Sequence, residues 1–179
     1  SLENLGQYDL VTISYALNEL GNQDQSSLIE KAFTAAGHLL VIIEPGTMEG
    51  FNLIRQARNQ LIHLGGHVVA PCPHQLACPM KENDWCHFSK RISRSSIHRQ
   101  LKEGFLSHED EKFSYIAISK VPVALPMNRI LRHPEKHSGH LSLELCTHNG
   151  TIQNKTISKR DGELYKQARK LKWGDTFPE

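Results

Sequence analysis

The chain is poor in the features that usually reveal the class of a protein. It has no run approaching the ~18 consecutive apolar residues of a membrane-spanning helix, so we expect no membrane partner. No G-x-G-x-x-G-like loop follows any predicted strand in this chain. Cysteine is also scarce, with four thiols in 179 residues. This number is too small for the dense disulfide framework of a small secreted domain. The length is sufficient for one domain with a real core.

Charge is distributed unevenly along the chain, although the net charge is only +2. Residues 1–70 carry a net charge of −4, whereas residues 129–172 carry ten Lys and Arg against four Asp and Glu, a net +6. A basic segment of this size favours a polyanionic partner. The alternative is a solvated basic face that only keeps the domain soluble.

The first seventy residues alternate between strand and helix patterns. β-Branched and apolar runs predict strands over residues 8–14, 39–43 and 67–70, and apolar residues at helical spacing predict helices over 24–36 and 51–64. This order predicts a parallel sheet with right-handed crossovers. The middle strand is continuously apolar, which is typical of a strand buried on both faces.

Two segments that directly follow predicted strands form the candidate pocket. In open parallel sheets, ligands bind beyond the carboxyl ends of the strands. The candidate cofactor or substrate residues at those two ends are Tyr15, Asn18, Glu19, Glu44 and Pro45. The alternative is that Asn18 and Glu44 only cap helices.

The rest of the chain is less regular. The predicted elements, in chain order, are a basic helix over 89–100, a strand over 112–119, an irregular insertion over 121–139, a strand over 140–147, a return strand over 151–158 and a helix over 162–171. Asn149-Gly150 is a strong hairpin turn between the last two strands. Asp161 is the expected cap of the last helix.

Three of the four cysteines, Cys72, Cys78 and Cys86, lie close together with the spacing C-x5-C-x7-C. The segment is rich in Pro, His and Gln, and no helical or strand period connects the thiols, so a metal site is favoured over core thiols. Neither gap has the C-x2-4-C spacing that is usual for zinc, whereas wider gaps suit an iron–sulfur cluster. Spacing leaves both metals open, with His74 or His87 as a replacement for one thiolate.

The fourth thiol, Cys146, lies far downstream in the predicted strand over 140–147. Strand alternation puts it on the side of Ser142 and Glu144, away from the leucines of the same strand. This polarity favours a thiol that faces a site over a thiol in the core.

Two blocks of sequence resemble a known family. The first comprises Ala70-Pro71-Cys72-Pro73-His74, Cys78-Pro79 and Trp85-Cys86-His87-Phe88; the second comprises Ser158-Lys159-Arg160, Tyr165-Lys166, Ala168-Arg169-Lys170 and Trp173-Gly174-Asp175. They are similar to the methyltransferase-like proteins of the mitochondrial small ribosomal subunit and their bacterial relatives. The resemblance covers most of the chain. It implies a role in assembling the small ribosomal subunit and a 4Fe-4S cluster on Cys72, Cys78, Cys86 and Cys146.

The resemblance also implies the fold class. This is an α/β chain that forms the C-terminal half of a class I methyltransferase (Rossmann-like) domain, with a four-cysteine metal-binding insertion and a C-terminal β-hairpin plus basic helix. We expect residues 1–70 to form the C-terminal part of the methyltransferase sheet and residues 71–100 to form the cysteine-rich insertion. Residues 101–179 are then the remaining strands, basic hairpin and C-terminal helix of the same domain.

In that family the glycine-rich donor loop belongs to the first strand, and this chain is expected to begin just before the fourth. S-Adenosylmethionine is therefore expected only in the full-length protein, in which the missing N-terminal half would be a partner of this chain. The strand over 8–14 would then have an unpaired apolar edge.

Three functions are compatible with these residues. The first is a small-subunit assembly factor that binds rRNA and a 4Fe-4S cluster, or zinc on the same four cysteines. The second is an active S-adenosylmethionine-dependent rRNA methyltransferase. It is disfavoured because Tyr15-Ala16-Leu17-Asn18 stands where an Asn-Pro-Pro-Tyr motif would stand, and because no cysteine is left as a nucleophile. The third is a redox sensor, which only the cluster would support.

The expected partners are small-subunit rRNA and the small ribosomal subunit. Basic side chains would neutralise phosphates, and Trp173 or Tyr165 would stack on bases. The expected location is the bacterial cytoplasm, or the mitochondrial matrix if the chain is eukaryotic. The candidate RNA-binding residues are Arg132, Lys136, Lys159, Arg160, Lys166, Arg169 and Lys170.

Overall fold

The computed structural model describes residues 6–93 and 108–178. Their strands form two separate five-stranded sheets. The elements are β1 (Tyr8–Ser14), α1 (Asn22–Ala35), β2 (Ala36–Pro45), α2 (Met48–His63), β3 (His67–Ala70), β4 (Phe88–Ser93), β5 (His108–Ser119), β6 (Asn128–Ile130), β7 (Glu135–Lys136), β8 (His140–Thr147), β9 (Ile152–Ser158), α3 (Glu163–Ala168) and β10 (Thr176–Phe177). Short 3-10 turns lie at Leu17–Glu19 and Lys159–Asp161.

The first sheet has the strand order β1-β2-β5-β3, and β4 is also paired with β5. β1 and β2 are parallel. β5 lies between β2 and β3 and runs antiparallel to both. β3 therefore runs in the same direction as β1 and β2, as the predicted parallel sheet requires, but it is not paired with β2, because a strand from beyond the cysteine loop lies between them. The local pattern of the first seventy residues contains no sign of that strand.

Both long helices pack on the same face of the first sheet. Leu40 and Ile42 of β2 lie opposite Ile118 and Ile116 of β5, so the four side chains share a face, and all four are fully buried. They form one hydrophobic cluster with residues of α1 and α2, among them Ile29, Phe33, Ile54, Ala57 and Leu61. This cluster is the core of the first sheet.

The opposite face of β2 is less covered. Leu39, Val41 and Ile43 alternate with the core residues and are half-buried. The prediction that this strand is buried on both faces is therefore wrong. A continuous apolar run does not distinguish one helical layer from two, since both helices lie on the other face.

The second sheet is antiparallel throughout and has the order β10-β6-β8-β7, with β9 paired to β8. β8 and β9 form a hairpin across the predicted Asn149-Gly150 turn, where Gly150 has a φ of +72°. The sheet has its own hydrophobic cluster, formed by Ile130, Leu141, Leu143, Leu145, Ile157, Tyr165, Ala168 and Phe177. The chain therefore has two hydrophobic cores, one for each sheet. The boundary between them is the seam.

The basic segment after Cys86 is not a helix where the structure describes it. The prediction of a helix over 89–100 is wrong for Ser89–Ser93, which belong to β4, while residues 94–100 lie outside the described part of the chain. β4 pairs antiparallel with β5, and Arg91 donates two hydrogen bonds to the carboxylate of Asp110 across the pair. This long-range ion pair could not be read from local charge.

Two further predictions at the C-terminal end need correction. The irregular insertion over 121–139 contains the short strands β6 and β7. The last helix is shorter than 162–171, and Asp161 does not cap it. Its carboxylate accepts a hydrogen bond from the Ser158 backbone N–H (2.7 Å) and caps the preceding 3-10 turn.

β1 lies at the edge of the first sheet, as the order of its described strands shows. Tyr8 and Leu10 on this strand are more than half exposed. An apolar edge of this kind can pair with another strand. Within residues 6–93 and 108–178, no helix combines the length and the apolar character that crossing a bilayer requires.

The first turn of α2 contains a glycine that the fold requires. Thr47 caps the helix, since its Oγ1 accepts a hydrogen bond from the Gly50 N–H (3.1 Å). A Cβ on Gly50 would clash with the carbonyl oxygen of Pro45. Alanine normally favours a helix over glycine, but here the close approach of the backbone decides the outcome.

Gly50→Ala should therefore destabilise the chain by about 1–3 kcal/mol, as overpacking does. Gly139→Ala is the matched control, because a Cβ at Gly139 would meet no atom within 4 Å. The control should change stability by less than about 0.5 kcal/mol. Urea unfolding midpoints measure both effects, and equal midpoints would contradict the prediction.

Candidate metal centre between the two sheets

The four cysteines line one cavity at the seam between the sheets. Cys72, Cys78 and Cys86 reach it from the loop between β3 and β4, and Cys146 reaches it from β8. The cavity has a volume of about 40 Å³, roughly three times the room that one buried water needs. The other residues around it are mainly apolar or basic and include Phe51, Ile54, Met80, Leu131, Tyr115, His74, Arg55, Arg58 and Arg129.

Arg58 of α2 holds the first part of the cysteine loop. It is only 3 % exposed, at helical spacing between Ile54 and Leu61 on the buried face. Its Nη2 donates hydrogen bonds to the carbonyl oxygens of His74 (3.0 Å) and Leu76 (2.7 Å). The sequence prediction missed this residue. The available signal was a charged side chain in line with the apolar positions of α2.

Arg129 of β6 ties the same loop to the second sheet. Its Nε donates to the carbonyl oxygen of Pro71 (2.8 Å), and its Nη1 donates to the carbonyl oxygen of Gly174 (2.8 Å). One side chain therefore connects the start of the cysteine loop with the C-terminal segment. From the sequence, Arg129 was only one member of the basic segment.

The far end of the cysteine loop is anchored to both sheets. Trp85 Nε1 donates to the carbonyl oxygen of Gly46 (2.9 Å), at the start of the turn after β2. Asp84 forms an ion pair with Arg132, which follows β6 (2.5 Å). Cys86 follows directly, so its position is fixed by contacts on both sides of the seam.

The environment of Cys146 agrees with the prediction from strand alternation. Leu143 and Leu145 belong to the core of the second sheet, whereas Cys146 packs with Phe51 and Leu131 in a separate cluster. The thiol is buried, at 7 % exposure. It faces the cavity across the seam and lies apart from the leucine row.

The donor set fits a thiolate-bound metal centre. The cavity brings together four thiols and His74, whose Nε2 lies 3.4 Å from Cys146 Sγ. His74 Nδ1 is buried without a hydrogen-bond partner among the described residues. No three His, Cys, Asp or Glu side chains in residues 6–93 and 108–178 are arranged to hold a single ion. The thiols surround a volume and do not converge on a point.

Burial in this cavity disfavours free thiolates. It raises the pKa of Cys72, raises that of Cys86 well above the ordinary value, and raises the pKa of Cys146 to about 12. The positive charges of Arg58 and Arg129 act in the opposite direction on the pKa of Cys72 and of Cys146. Without a metal, burial therefore favours the protonated, neutral form of Cys72, Cys86 and Cys146.

The candidate pocket at the ends of β1 and β2 has a structural explanation in part. Glu44 is fully buried, and its Oε1 accepts hydrogen bonds from the N–H groups of Ala16 (3.2 Å) and Leu17 (2.9 Å). Tyr15 has a φ of +53° and donates its hydroxyl to Glu111 (3.2 Å). The capping alternative is therefore realised for Glu44. The other predicted members of this pocket are the exposed Asn18 and Glu19 and the half-buried Pro45.

The predicted RNA-binding residues divide into two groups. Arg132 points into the seam and pairs with Asp84, so it is less available to a partner. Lys136 Nζ donates to the carbonyl oxygen of Arg169 (2.7 Å), which brings β7 beside the end of α3. The exposed members are Lys136 on β7, Lys159 and Arg160 on the 3-10 turn after β9, Lys166 on α3, and Arg169 and Lys170 directly after α3.

Trp173 is packed into a ring cluster beside the cysteine loop. Its ring meets the edges of His87 and His133, each with a centroid distance of 4.9 Å, and Trp85 stacks on His87. The sequence prediction proposed Trp173 or Tyr165 for base stacking. Trp173 is half-buried and helps to close the seam. The prediction is wrong for Tyr165, which is buried in the core of the second sheet, at 7 % exposure.

The first sheet indicates the fold class of the protein. It has two parallel strands, β1 and β2, an antiparallel strand, β5, beside β2, and two helices on one face. This arrangement is consistent with a Rossmann-like methyltransferase fold. The sequence model of the family described as "Mitochondrial small ribosomal subunit Rsm22" matches residues 1–178. The chain belongs to this family.

Relatives in three organisms match nearly the whole chain. The Homo sapiens "Ribosome assembly protein METTL17, mitochondrial" is 30% identical over 186 residues, covering 96% of this chain and 40% of the human protein. The Saccharomyces cerevisiae "Ribosome assembly protein RSM22, mitochondrial" is 23% identical, covering 96% and 44%. The Schizosaccharomyces pombe "Rsm22-cox11 tandem protein 2, mitochondrial" is 29% identical, covering 96% and 29%. The chain thus spans less than half the length of each relative.

The capping role of Glu44 predicts a stability effect. Glu44→Ala should destabilise the chain by about 1–3 kcal/mol, because two backbone N–H groups at Ala16 and Leu17 lose their acceptor. Glu44→Gln keeps an acceptor oxygen and should cost clearly less. Chemical unfolding of both variants provides the measurement. If both unfolded like the parent, the carboxylate would have no structural role.

Proposed function

We propose that the chain is the cluster-bearing part of a small-subunit ribosome-assembly factor. It holds a 4Fe-4S cluster on Cys72, Cys78, Cys86 and Cys146 and binds rRNA through its second sheet. The observation that carries the proposal is the convergence of these thiols, from two distant stretches of sequence, on one cavity. The relatives named ribosome assembly proteins support the cellular role.

The geometry of the thiols supports a cluster over a single zinc ion. Four thiols without oxygen ligands are a donor set that both metals accept. A single zinc ion needs its sulfur ligands about 2.3 Å from one point. No three candidate ligands among the described residues are so arranged, whereas four thiols around a cavity suit the larger body of a cubic cluster.

The residues of the chain would hold such a group from both sides of the seam. Once bound, the cluster would supply four metal–sulfur bonds that join the loop after β3 to β8. Arg58 and Arg129 keep the loop in place through its carbonyl oxygens. Phe51 and Leu131 pack against the thiols and exclude water from them. The seam, and with it the relative position of the two sheets, would then be fixed.

The exposed cations of the second sheet support RNA as the partner. Residues 129–172 carry a net charge of +6, and six of the predicted RNA-binding side chains are exposed there. A surface of this kind binds phosphates without regard to sequence. In this proposal the fixed seam presents the cations in one arrangement, which suits structured rRNA.

In this proposal, S-adenosylmethionine would be bound by the longer protein and not by this chain alone. The chain has no glycine-rich loop after a strand. At the ends of β1 and β2, Glu44 is engaged with the backbone at Leu17, and Tyr15 is engaged with Glu111. The relatives are named as mitochondrial, and we propose the mitochondrial matrix for a eukaryotic chain and the cytoplasm for a bacterial one.

Metal content tests the first part of the proposal. The anaerobically purified chain should absorb broadly near ~400 nm and contain about four irons with matching sulfide, as a four-cysteine cubic cluster requires. Cys146→Ser should lower the iron content sharply. Ser142→Ala, on the same side of β8 but outside the cavity, should leave it unchanged. Iron, sulfide and zinc analysis decides, and a colourless protein with about one zinc and no sulfide would refute the cluster.

Charge reversal tests the second part. The double variant Arg169→Glu with Lys170→Glu should weaken binding to structured rRNA fragments about uniformly across sequences. The slope of log K against log salt should also become shallower, by the amount expected for the loss of about one to two phosphate contacts. Filter binding or fluorescence anisotropy over a salt series measures both effects, and metal content should not change.

The matched control reverses two exposed cations on the first sheet, Lys90→Glu with Arg91→Glu. It should leave the affinity nearly intact. If this control lost affinity and the first double variant did not, the RNA surface would lie on the first sheet. Equal affinity of all three proteins at low salt would show that these charges serve solubility alone.

A further inference from the structure

We infer that Arg58 and Arg129 are the counter-charges of the thiolate site, placed on its two sides so that an apolar cavity can hold four negative ligands. This rests on the proposed function, in that the four thiols must bind a metal. It holds for an iron–sulfur cluster and for zinc alike, because four thiolates outweigh the positive charge of either group.

The two arginines flank the cavity from different sheets. Arg58 lines it from α2, under the first sheet, and Arg129 lines it from β6 of the second. Arg58 is buried, and its Nε has no hydrogen-bond partner among the described residues. Among the described residues, the oxygens that accept hydrogen bonds from the two guanidinium groups are all neutral. They are the carbonyl oxygens of His74, Leu76, Pro71 and Gly174 and the amide oxygen of Asn59.

The charge balance of the cavity points in the same direction. No Asp or Glu is among the described residues that line it. A buried cation without an anion is costly, and removing its partner typically destabilises a protein by several kcal/mol. Apart from the phenol of Tyr115, the groups beside Arg58 and Arg129 that can become negative are the thiols. Metal binding converts them to thiolates, so the arginines gain their anions in the loaded state.

A third cation, Arg55, also lines the cavity but is engaged elsewhere. Its guanidinium donates to Asn52 (3.0 Å) and lies over the ring of Phe51. Arg58 and Arg129 are therefore the two cavity-lining cations whose hydrogen bonds hold the cysteine loop.

Arg58 has two separable roles in this arrangement. Its guanidinium group holds the loop through hydrogen bonds to the carbonyl oxygens of His74 and Leu76, and its charge compensates the thiolates. Lysine keeps the charge but lacks the planar set of N–H donors, whereas methionine keeps the apolar stem and loses both the charge and the donors. Comparing the two substitutions separates charge from positioning.

The experiment uses the metal-loaded chain and the variants Arg58→Met, Arg58→Lys and Arg129→Met. Arg91→Met is the control, because it removes an exposed arginine that pairs with Asp110 outside the cavity. Metal release to excess chelator should be about tenfold faster in both methionine variants, as on losing a residue that supports metal ligands. Arg58→Lys should lie nearer the parent, and the control should match it.

The reduction midpoint potential of the bound cluster gives a second readout. Removing a nearby positive charge makes an added electron less favourable, so the potential should fall in Arg58→Met and Arg129→Met and change less in Arg58→Lys. A purely structural role would reduce the amount of cluster bound without moving the potential of the remainder. If Arg58→Met fails to fold, Arg58→Lys and Arg129→Met still decide.

The outcomes separate this inference from the proposed function. A parent chain without bound metal overturns both. A parent chain that binds zinc overturns the cluster but leaves the arginines to be judged by release rates. If the parent holds its metal and the methionine variants release it at the parent's rate with the parent's potential, the counter-charge role is wrong.

Discussion

The seam between the two sheets is governed by one electrostatic constraint. Three arginines line an apolar cavity, and the described residues around that cavity include no carboxylate. Two of them, Arg58 and Arg129, also donate hydrogen bonds to carbonyl oxygens of the cysteine loop. The positions of these two positive charges and the conformation of the loop are therefore coupled. The loop contributes no regular secondary structure between β3 and β4. Its position is set by the elements on either side, and those elements are brought together through it.

The seam also relates the core of each sheet to the site. Cys72 packs against the core of the first sheet, while Cys146 belongs to a strand of the second. The small cluster between the cores contains Phe51 of α2 and Leu131 after β6. The residues around the cavity are therefore in packing contact with both sheets. In the proposed function, this packing would relate the metal site to the arrangement of the exposed cations on the second sheet.

Local patterns predicted the elements whose formation is local. The strands at 8–14, 67–70 and 140–147 and the hairpin at Asn149-Gly150 follow from alternation and turn chemistry, and the structure has them. Long-range pairing was out of reach. The basic stretch before Ser93 is a strand because it pairs with β5, whose residues lie on the far side of residues 94–107. Nothing in the local sequence distinguishes that pairing from a basic helix.

The candidate site likewise contains residues that the local sequence predicts and residues that it does not. The spacing of Cys72, Cys78 and Cys86 and the polar side of Cys146 were readable, because thiols are rare and strand alternation is strict. The two arginines were not, because their meaning depends on which carbonyl oxygens and thiols surround them after folding. Glu44 was readable only as a pair of alternatives, since a carboxylate at a strand end caps a turn or faces a ligand with equal ease.

The insertion of β5 between β2 and β3 has a consequence for the order of events during synthesis. A ribosome releases β3 and the first three cysteines before it releases β5, and β3 pairs with no other described strand. In that interval the first sheet is incomplete, and the thiols of Cys72, Cys78 and Cys86 are not yet enclosed. Cys146 emerges last, on a hairpin that forms locally and quickly. In the proposed function, the direction of translation would leave a window in which a metal reaches three of the thiols before the fourth arrives and closes the seam.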